Sequence, residues 1–241
     1  AFVNAKSMLR IDSATVKQVE RLSDRELQLV LDKELPSECV LGQDCLENIT
    51  WTPELEVRHC SFSRTSTRGL LVTTPRKVVI DNNVFRKTGM SAILIEGDAE
   101  GWFESGPVKD VTISNNTFID CAYQGGPGNA VIALHPSNTQ LDASRPVHQN
   151  VKIVGNKFYV FDYPILYAKS TDHLVFEDNE IIRTTQMSPT SGNKVGILLN
   201  ACRNVRIQNN SLKGEVLGAT IRFEHMKKSS IRKDNGFTFV N

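Results

Sequence analysis

The sequence predicts an all-β fold, a parallel β-helix preceded by an irregular N-terminal segment. Three observations carry this. A nine-residue pattern, apolar-x-apolar-x-x-Asn-x-apolar, recurs in KVVIDNNVF (77–85), DVTISNNTF (110–118), NVKIVGNKF (150–158), HLVFEDNEI (173–181) and NVRIQNNSL (204–212). Each copy is followed by a second apolar run, centred about ten residues after the Asn in the shortest units. The Asn-equivalent positions 60, 83, 116, 156, 179 and 210 are separated by 23, 33, 40, 23 and 31 residues. A floor of 23 with additions above it describes a fixed structural unit carrying loops, the signature of a solenoid.

In chain order, residues 1–45 do not obey the repeat. Ser23 with Glu26 and Thr15 with Gln18 resemble capping boxes and suggest helix, whereas Leu27, Leu29 and Leu31 alternate as in a strand. Solenoids need their open ends covered, so this segment reads as a cap or the remnant of a preceding domain. Residues 46–241 read as the β-helix itself. ELEVRHCSF (54–62) opens it with Cys60 in the Asn position, and IRKDNGF (231–237) is a decayed last copy. The second runs are GLLVTT (69–74), SAILIEG (91–97), NAVIALHP (129–136), YPILYAKS (163–170), VGILLNA (195–201) and ATIRFEH (219–225). Alternation and β-branched residues bounded by Gly, Asn and Asp make both runs strands.

Stacked coils lie about 4.8 Å apart, so equivalent side chains form columns. Asn83, Asn116, Asn156, Asn179 and Asn210 should form an amide ladder, entering the left-handed region that Asn tolerates. Phe62, Phe85, Phe118 and Phe158 should stack inward. These columns are structural. The NNT and NNS triplets at 115–117 and 209–211 match glycosylation acceptors, but the ladder explains them better.

Bulk properties narrow the functional classes. With 28 basic against 27 acidic residues, the net charge of +1 lacks the basic stripe expected of a nucleic-acid binder. No apolar run approaches the roughly 18 residues of a membrane span, and no secretory signal pattern opens the chain. Cys39, Cys45, Cys60, Cys121 and Cys202 are scattered and lack a CxxC zinc pattern; Cys39 and Cys45 are near enough to pair, though spacing favours free thiols. The five histidines lack metal-ligand spacing, and no cofactor motif occurs, so neither metal nor cofactor is expected.

Excess length marks where a repeat invests in something besides stacking. Four excursions stand out, at 96–110, 119–129, 135–149 and 183–194. They belong to successive coils, so they should wall one cleft. Polar, Gly-rich and aromatic lining suits a sugar. The first excursion, EGDAEGWFESGPVKD, holds the chemistry. Glycoside cleavage needs a proton donor and a second carboxylate, and Asp98 and Glu104 are the candidates, with Trp102 as a stacking platform. Glu96 ends an apolar strand and reads as a substrate ligand. Arg68 and Arg76 could orient a carboxylate, and Asp120, Asn129 and His135 could face the cleft and bind hydroxyls. The bland alternative for each is a solvated or structurally paired side chain.

TRGLLVTTPRKVVIDNNVF, SAILIEGDAEGWFESGPVKDVTISNNTFI and GNAVIALHP together resemble glycoside hydrolase family 110 over roughly residues 44–225. The resemblance implies a right-handed β-helix, exo-acting cleavage of terminal α-1,3-linked galactose from glycans, inversion by acidic residues, no metal, and an extracellular, periplasmic or cell-surface location. Asp98, Trp102 and Glu104 match the family's acidic loop. Family members are longer, so catalytic groups could lie outside this chain or come from a neighbouring subunit of a homo-oligomer. Polygalacturonase signatures (GHG, RIK) are missing, and acids are too sparse for a calcium-dependent pectate lyase. The remaining alternative is a non-catalytic, adhesin-like glycan-binding solenoid.

Overall fold

A computed structural model describes residues 1–104, 106–214, 218–234 and 236–240. Three parallel sheets wind around one core. The first sheet holds Leu55–Arg58, Lys77–Asp81, Asp110–Ser114, His148–Val154, Thr171–Glu177, Val205–Gln208 and Ile231–Lys233. The second holds Ser61–Ser63, Val84–Arg86, Thr117–Ile119, Lys157–Val160, Glu180–Arg183 and Ser211–Lys213. The third holds Leu70–Val72, Ile93–Gly97, Ile132–Pro136, Leu166–Lys169, Ile197–Asn200, Thr220–Glu224 and Thr238–Phe239. Each coil visits the three sheets in turn, so each strand pairs with its equivalent one coil away.

The alternation read from the sequence becomes burial. Val78, Ile80, Ile93, Ile95, Val111, Ile113, Ile132 and Leu134 are completely buried, as period-2 side-chain alternation requires. The aromatic column forms as expected: Phe62, Phe85, Phe118 and Phe158 stack with centroids 4.8, 5.2 and 4.8 Å apart. It then passes to Ile181, which is in register with Phe158.

The amide ladder also forms. The side-chain carbonyl of Asn116 accepts both the backbone and side-chain N–H of Asn83, at 2.9 and 3.0 Å. Asn156, Asn179 and Asn210 repeat this toward the C-terminal end. Each Nδ2 also donates to a carbonyl of the preceding coil, such as Ile80 for Asn116 and Ile113 for Asn156. The left-handed conformation, however, falls one residue earlier than expected. His59, Asn82, Asn115, Gly155, Asp178 and Asn209 have φ between 53° and 68°, and the ladder Asn itself does not. The preceding residue absorbs the turn strain, leaving the Asn placed for its bonds. In each NN triplet the first Asn is therefore the exposed turn residue and the second the ladder member. The last repeat at 231–237 contributes a paired strand, Ile231–Lys233, while its Asn235 lies outside the described residues.

The N-terminal segment contains no helix. Val16–Arg21 and Leu27–Leu31 form an antiparallel hairpin. Ser23 and Glu26 close its turn, the Leu22 and Ser23 N–H groups donating to the Glu26 carbonyl, so the pattern that resembled a helix cap is a hairpin cap. Phe2–Val3 pairs with Arg10–Asp12 and Cys45–Leu46. Val3, Ala5 and Met8 pack with Ala99 and Val147, clamping the first excursion to the third. All five cysteines are free thiols.

Candidate active site

The four excursions leave the β-helix at only two of its corners. Residues 119–129 and 183–194 lie between second- and third-sheet strands, whereas 96–110 and 135–149 lie between third- and first-sheet strands. They therefore border the two long edges of one surface, the outer face of the third sheet. The pairs are tied together: Asn129 donates to Ser191 at 3.1 Å, and the Ser137 N–H donates to the Gly97 carbonyl at 2.8 Å.

The acidic excursion is a bend organised by Asp98. Its Oδ1 accepts the N–H groups of Glu100 and Gly101 at 2.8 and 2.9 Å, and Oδ2 accepts that of Trp102 at 2.8 Å. Asp98 and Glu104 form an antiparallel bridge, Asp98 N–H donating to the Glu104 carbonyl at 3.3 Å. Directly opposed residues place their Cβ atoms about 4.5–5.5 Å apart on one side. The bend also lies across the start of the third sheet, because Glu104 reaches Arg68 at 3.8 Å. Its base is fixed by Glu47, which accepts the Gly106 N–H at 3.2 Å.

The two carboxyls are driven in opposite directions. Burial pushes Asp98 upward, but the N–H groups of Trp102, Glu100 and Gly101 outweigh it and hold the pKa below the usual value. For Glu104, burial comes first, then repulsion from Glu96, and together with Asp98 they outweigh the attraction of Arg68; the pKa is raised. Glu96 is 7 % exposed, and its carboxylate lies 3.3 Å from Nδ1 of His135, the residue in register with it one coil on.

Structure thus gathers Glu96, Asp98, Glu104, Arg68 and His135. It does not gather the rest. Trp102 is 84 % exposed at the tip of the bend. Arg76 donates to Thr52 at 3.1 Å, at the first coil's entry into the first sheet. Asp120 is buried beneath the opposite corner, accepting the Thr184 hydroxyl at 2.6 Å, and Asn129 is spent on Ser191. Asp120, which directly follows Thr117–Ile119, and Asn129, which ends the turn before Ile132–Pro136, both tie to the 183–194 excursion two coils on.

Three residues escaped the sequence reading. Tyr167 stands beside His135, ring centroids 5.7 Å apart. Lys169, half-buried, donates to the Pro136 carbonyl at 2.9 Å. His148 is fully buried and its Nδ1 accepts the Val108 N–H at 3.2 Å, anchoring the end of the acidic excursion; burial, then repulsion from His135, lowers its pKa to about 3. The signal was available for the first two: aligning the second apolar runs in register puts YPILYAKS over NAVIALHP.

Residues 48–235 match the family described as right handed beta helix region. Alpha-1,3-galactosidase A of Bacteroides fragilis is 57% identical over 232 residues, covering 96% of this chain and 38% of that protein. Alpha-1,3-galactosidase B of Bacteroides thetaiotaomicron is 43% identical over 235 residues, again 96% and 38%. Alpha-1,3-galactosidase B of Akkermansia muciniphila is 35% identical over 215 residues, covering 88% of this chain and 26% of that protein. The chain spans well under half the length of these relatives. Sequence, coil geometry and the family match agree that it belongs to the right-handed β-helix family.

Proposed function

We propose that this chain is the β-helix portion of an exo-acting α-1,3-galactosidase of glycoside hydrolase family 110, releasing terminal galactose from glycans with inversion, outside the cytoplasm. The observation that carries the reading is the acidic bend, within a stretch similar over 96% of its length to proteins named alpha-1,3-galactosidases. Two neighbouring carboxyls whose surroundings push their pKa values apart form an acid/base pair. Glu104, raised, is the proton donor to the glycosidic oxygen. The ionised partner is Asp98, which removes a proton from the attacking water. Arg68 sets the orientation of Glu104, Glu96 with His135 holds sugar hydroxyls, and the exposed Trp102 ring offers a stacking face.

One observation favours a second reading. Three of the lone-pair positions of Asp98 are already occupied by N–H groups of its own bend. That leaves either Glu96 as the water-activating group or a glycan-binding surface without turnover. Incubation with an α-1,3-galactobiose, followed by NMR, decides among them. Release of β-galactose, abolished in Glu104→Gln and Asp98→Asn, supports the first reading. Loss in Glu96→Gln with Asp98→Asn still active transfers the base role to Glu96. Sugar-dependent thermal protection without release leaves a binding module.

A further inference from the structure

The third sheet carries a row of polar side chains that begins at the Glu96–His135 pair of the candidate site and continues past it through Lys169, Asn200 and Glu224. We propose that this row binds the part of the glycan that remains after galactose leaves, a neutral oligosaccharide running from the bend toward the C-terminal coils. The inference rests on the galactosidase reading above for its direction, and on the sheet's own geometry for its chemistry.

Register places the row. Glu96 pairs with His135, and Lys169 pairs with Asn200, which pairs with Glu224. The intervening step follows from Leu134 pairing with Ala168. Five outward side chains are thus set at coil spacing, spanning roughly 19 Å, the length of a short oligosaccharide. They combine acceptor and donor chemistry: carboxylate, imidazole, ammonium, amide, carboxylate. Among the described residues Lys169 makes one hydrogen bond, to Pro136, although its ammonium has three donors. Asn200 is linked to Nδ1 of His225 at 2.9 Å. Tyr167 supplies a ring on which a pyranose can stack, and Gly128 packs against one edge of it, where a Cβ would sit 2.7 Å from the ring.

Direction follows from what covers the sheet. Toward the first coil, the bend crosses the face and Glu104 contacts Arg68, which closes that side of the cluster. Toward later coils, the excursions stand at the edges and the row lies between them. Galactose therefore occupies the closed end, and the sugar attached to it faces His135, Tyr167 and Lys169.

The test compares chain length. Galactose release is measured on a galactose-terminated disaccharide and on the corresponding tetrasaccharide, for the unaltered chain and for Lys169→Met, Asn200→Ala and Glu224→Gln. The expected result is a kcat/KM about tenfold higher on the tetrasaccharide, with Asn200→Ala and Glu224→Gln losing that gain and losing at most about threefold on the disaccharide, whereas Lys169→Met, beside the second sugar of either substrate, loses on both and more on the tetrasaccharide. Equal losses on both substrates, or none on either, overturn the proposal. A second readout does not need turnover: titration of the galactose-free trisaccharide, followed by NMR. Binding that weakens about tenfold in Asn200→Ala supports the row even if no substrate is cleaved, in which case only the galactosidase reading falls. No binding to the unaltered chain, with cleavage intact, overturns the row alone. Unchanged melting temperatures confirm that the variants fold.

Discussion

Two corners of the same coil differ sharply in what they tolerate. Between the first and second sheets, every described turn is two residues long: 59–60, 82–83, 115–116, 155–156, 178–179 and 209–210. Between the third and first sheets, the connection ranges from the single residue Ser170 to the excursion after Gly97 that ends at Asp110. The tight corner carries the amide ladder, so its backbone N–H groups are claimed by a neighbouring side chain, and an added residue would break bonds in two coils at once. The open corners carry no such repeated ladder; each is held by bonds particular to its own loop. Function can therefore accumulate at the open corners while the ladder keeps register along the solenoid.

This contrast can be broken most severely at the ladder. Two glycines inserted between Asn115 and Asn116 should abolish cooperative folding, read as loss of the urea transition, because the inserted chain displaces a fully buried amide and its partners on both sides. Next in size is a change at the loop corner that leaves folding alone. Glu104→Gln should lower kcat/KM by about 10²–10⁴-fold, the range for removing a general acid, with the urea midpoint unmoved. On the proposed assignment of Glu104 as proton donor, only its protonated form is active, so the unaltered chain should lose activity as pH rises through the elevated Glu104 pKa.

Position along the ladder sharpens the comparison. Asn156→Ala should cost about 3 kcal/mol or more, since it orphans buried N–H groups of Asn116. Asn210→Ala, at a half-exposed site, should cost about half as much because water can replace the lost partner. Chemical denaturation of the two variants checks the ratio.

His148, buried at the open corner, predicts a pH dependence. Its folded pKa, about 3, lies below the unfolded value, so between pH 6.5 and 3 the unfolded chain binds a proton that the native chain refuses. Its contribution is therefore constant above pH 6.5 and lost progressively as pH falls, by roughly 2 kcal/mol at pH 5. His148→Gln should flatten that part of the stability curve. The smallest effect belongs to the open corner: two glycines inserted at 142–143, an exposed turn, should cost under about 1 kcal/mol.

The fold was legible because a solenoid writes its periodicity into the chain. The spacing of Asn83, Asn116 and Asn156 and the trailing Phe residues forecast both columns before any coordinate. The N-terminal hairpin was not legible, because the same Ser-x-x-Glu spacing serves a helix cap and this β-turn, and only pairing with Leu27–Leu31 decides between them. Within the candidate site, Glu96, Asp98 and Glu104 lie near one another because they share one excursion. Arg76, Asp120 and Asn129 lie away from that cluster, because sequence order does not reveal which corner a residue occupies or what another coil offers it.

What the amino-acid order determined by itself was the repeating unit, the inward columns and the coils that carry extra length, all consequences of local alternation and of identical units stacking at one spacing. Only the tertiary structure decided which excursions share an edge, that Asp98 is bound by its own bend while Glu104 turns to Arg68, and that His135, Tyr167 and Lys169 meet on one face. Those outcomes depend on the phase of each loop around the axis and on competition for hydrogen bonds between residues tens of positions apart, and neither is encoded in any single stretch.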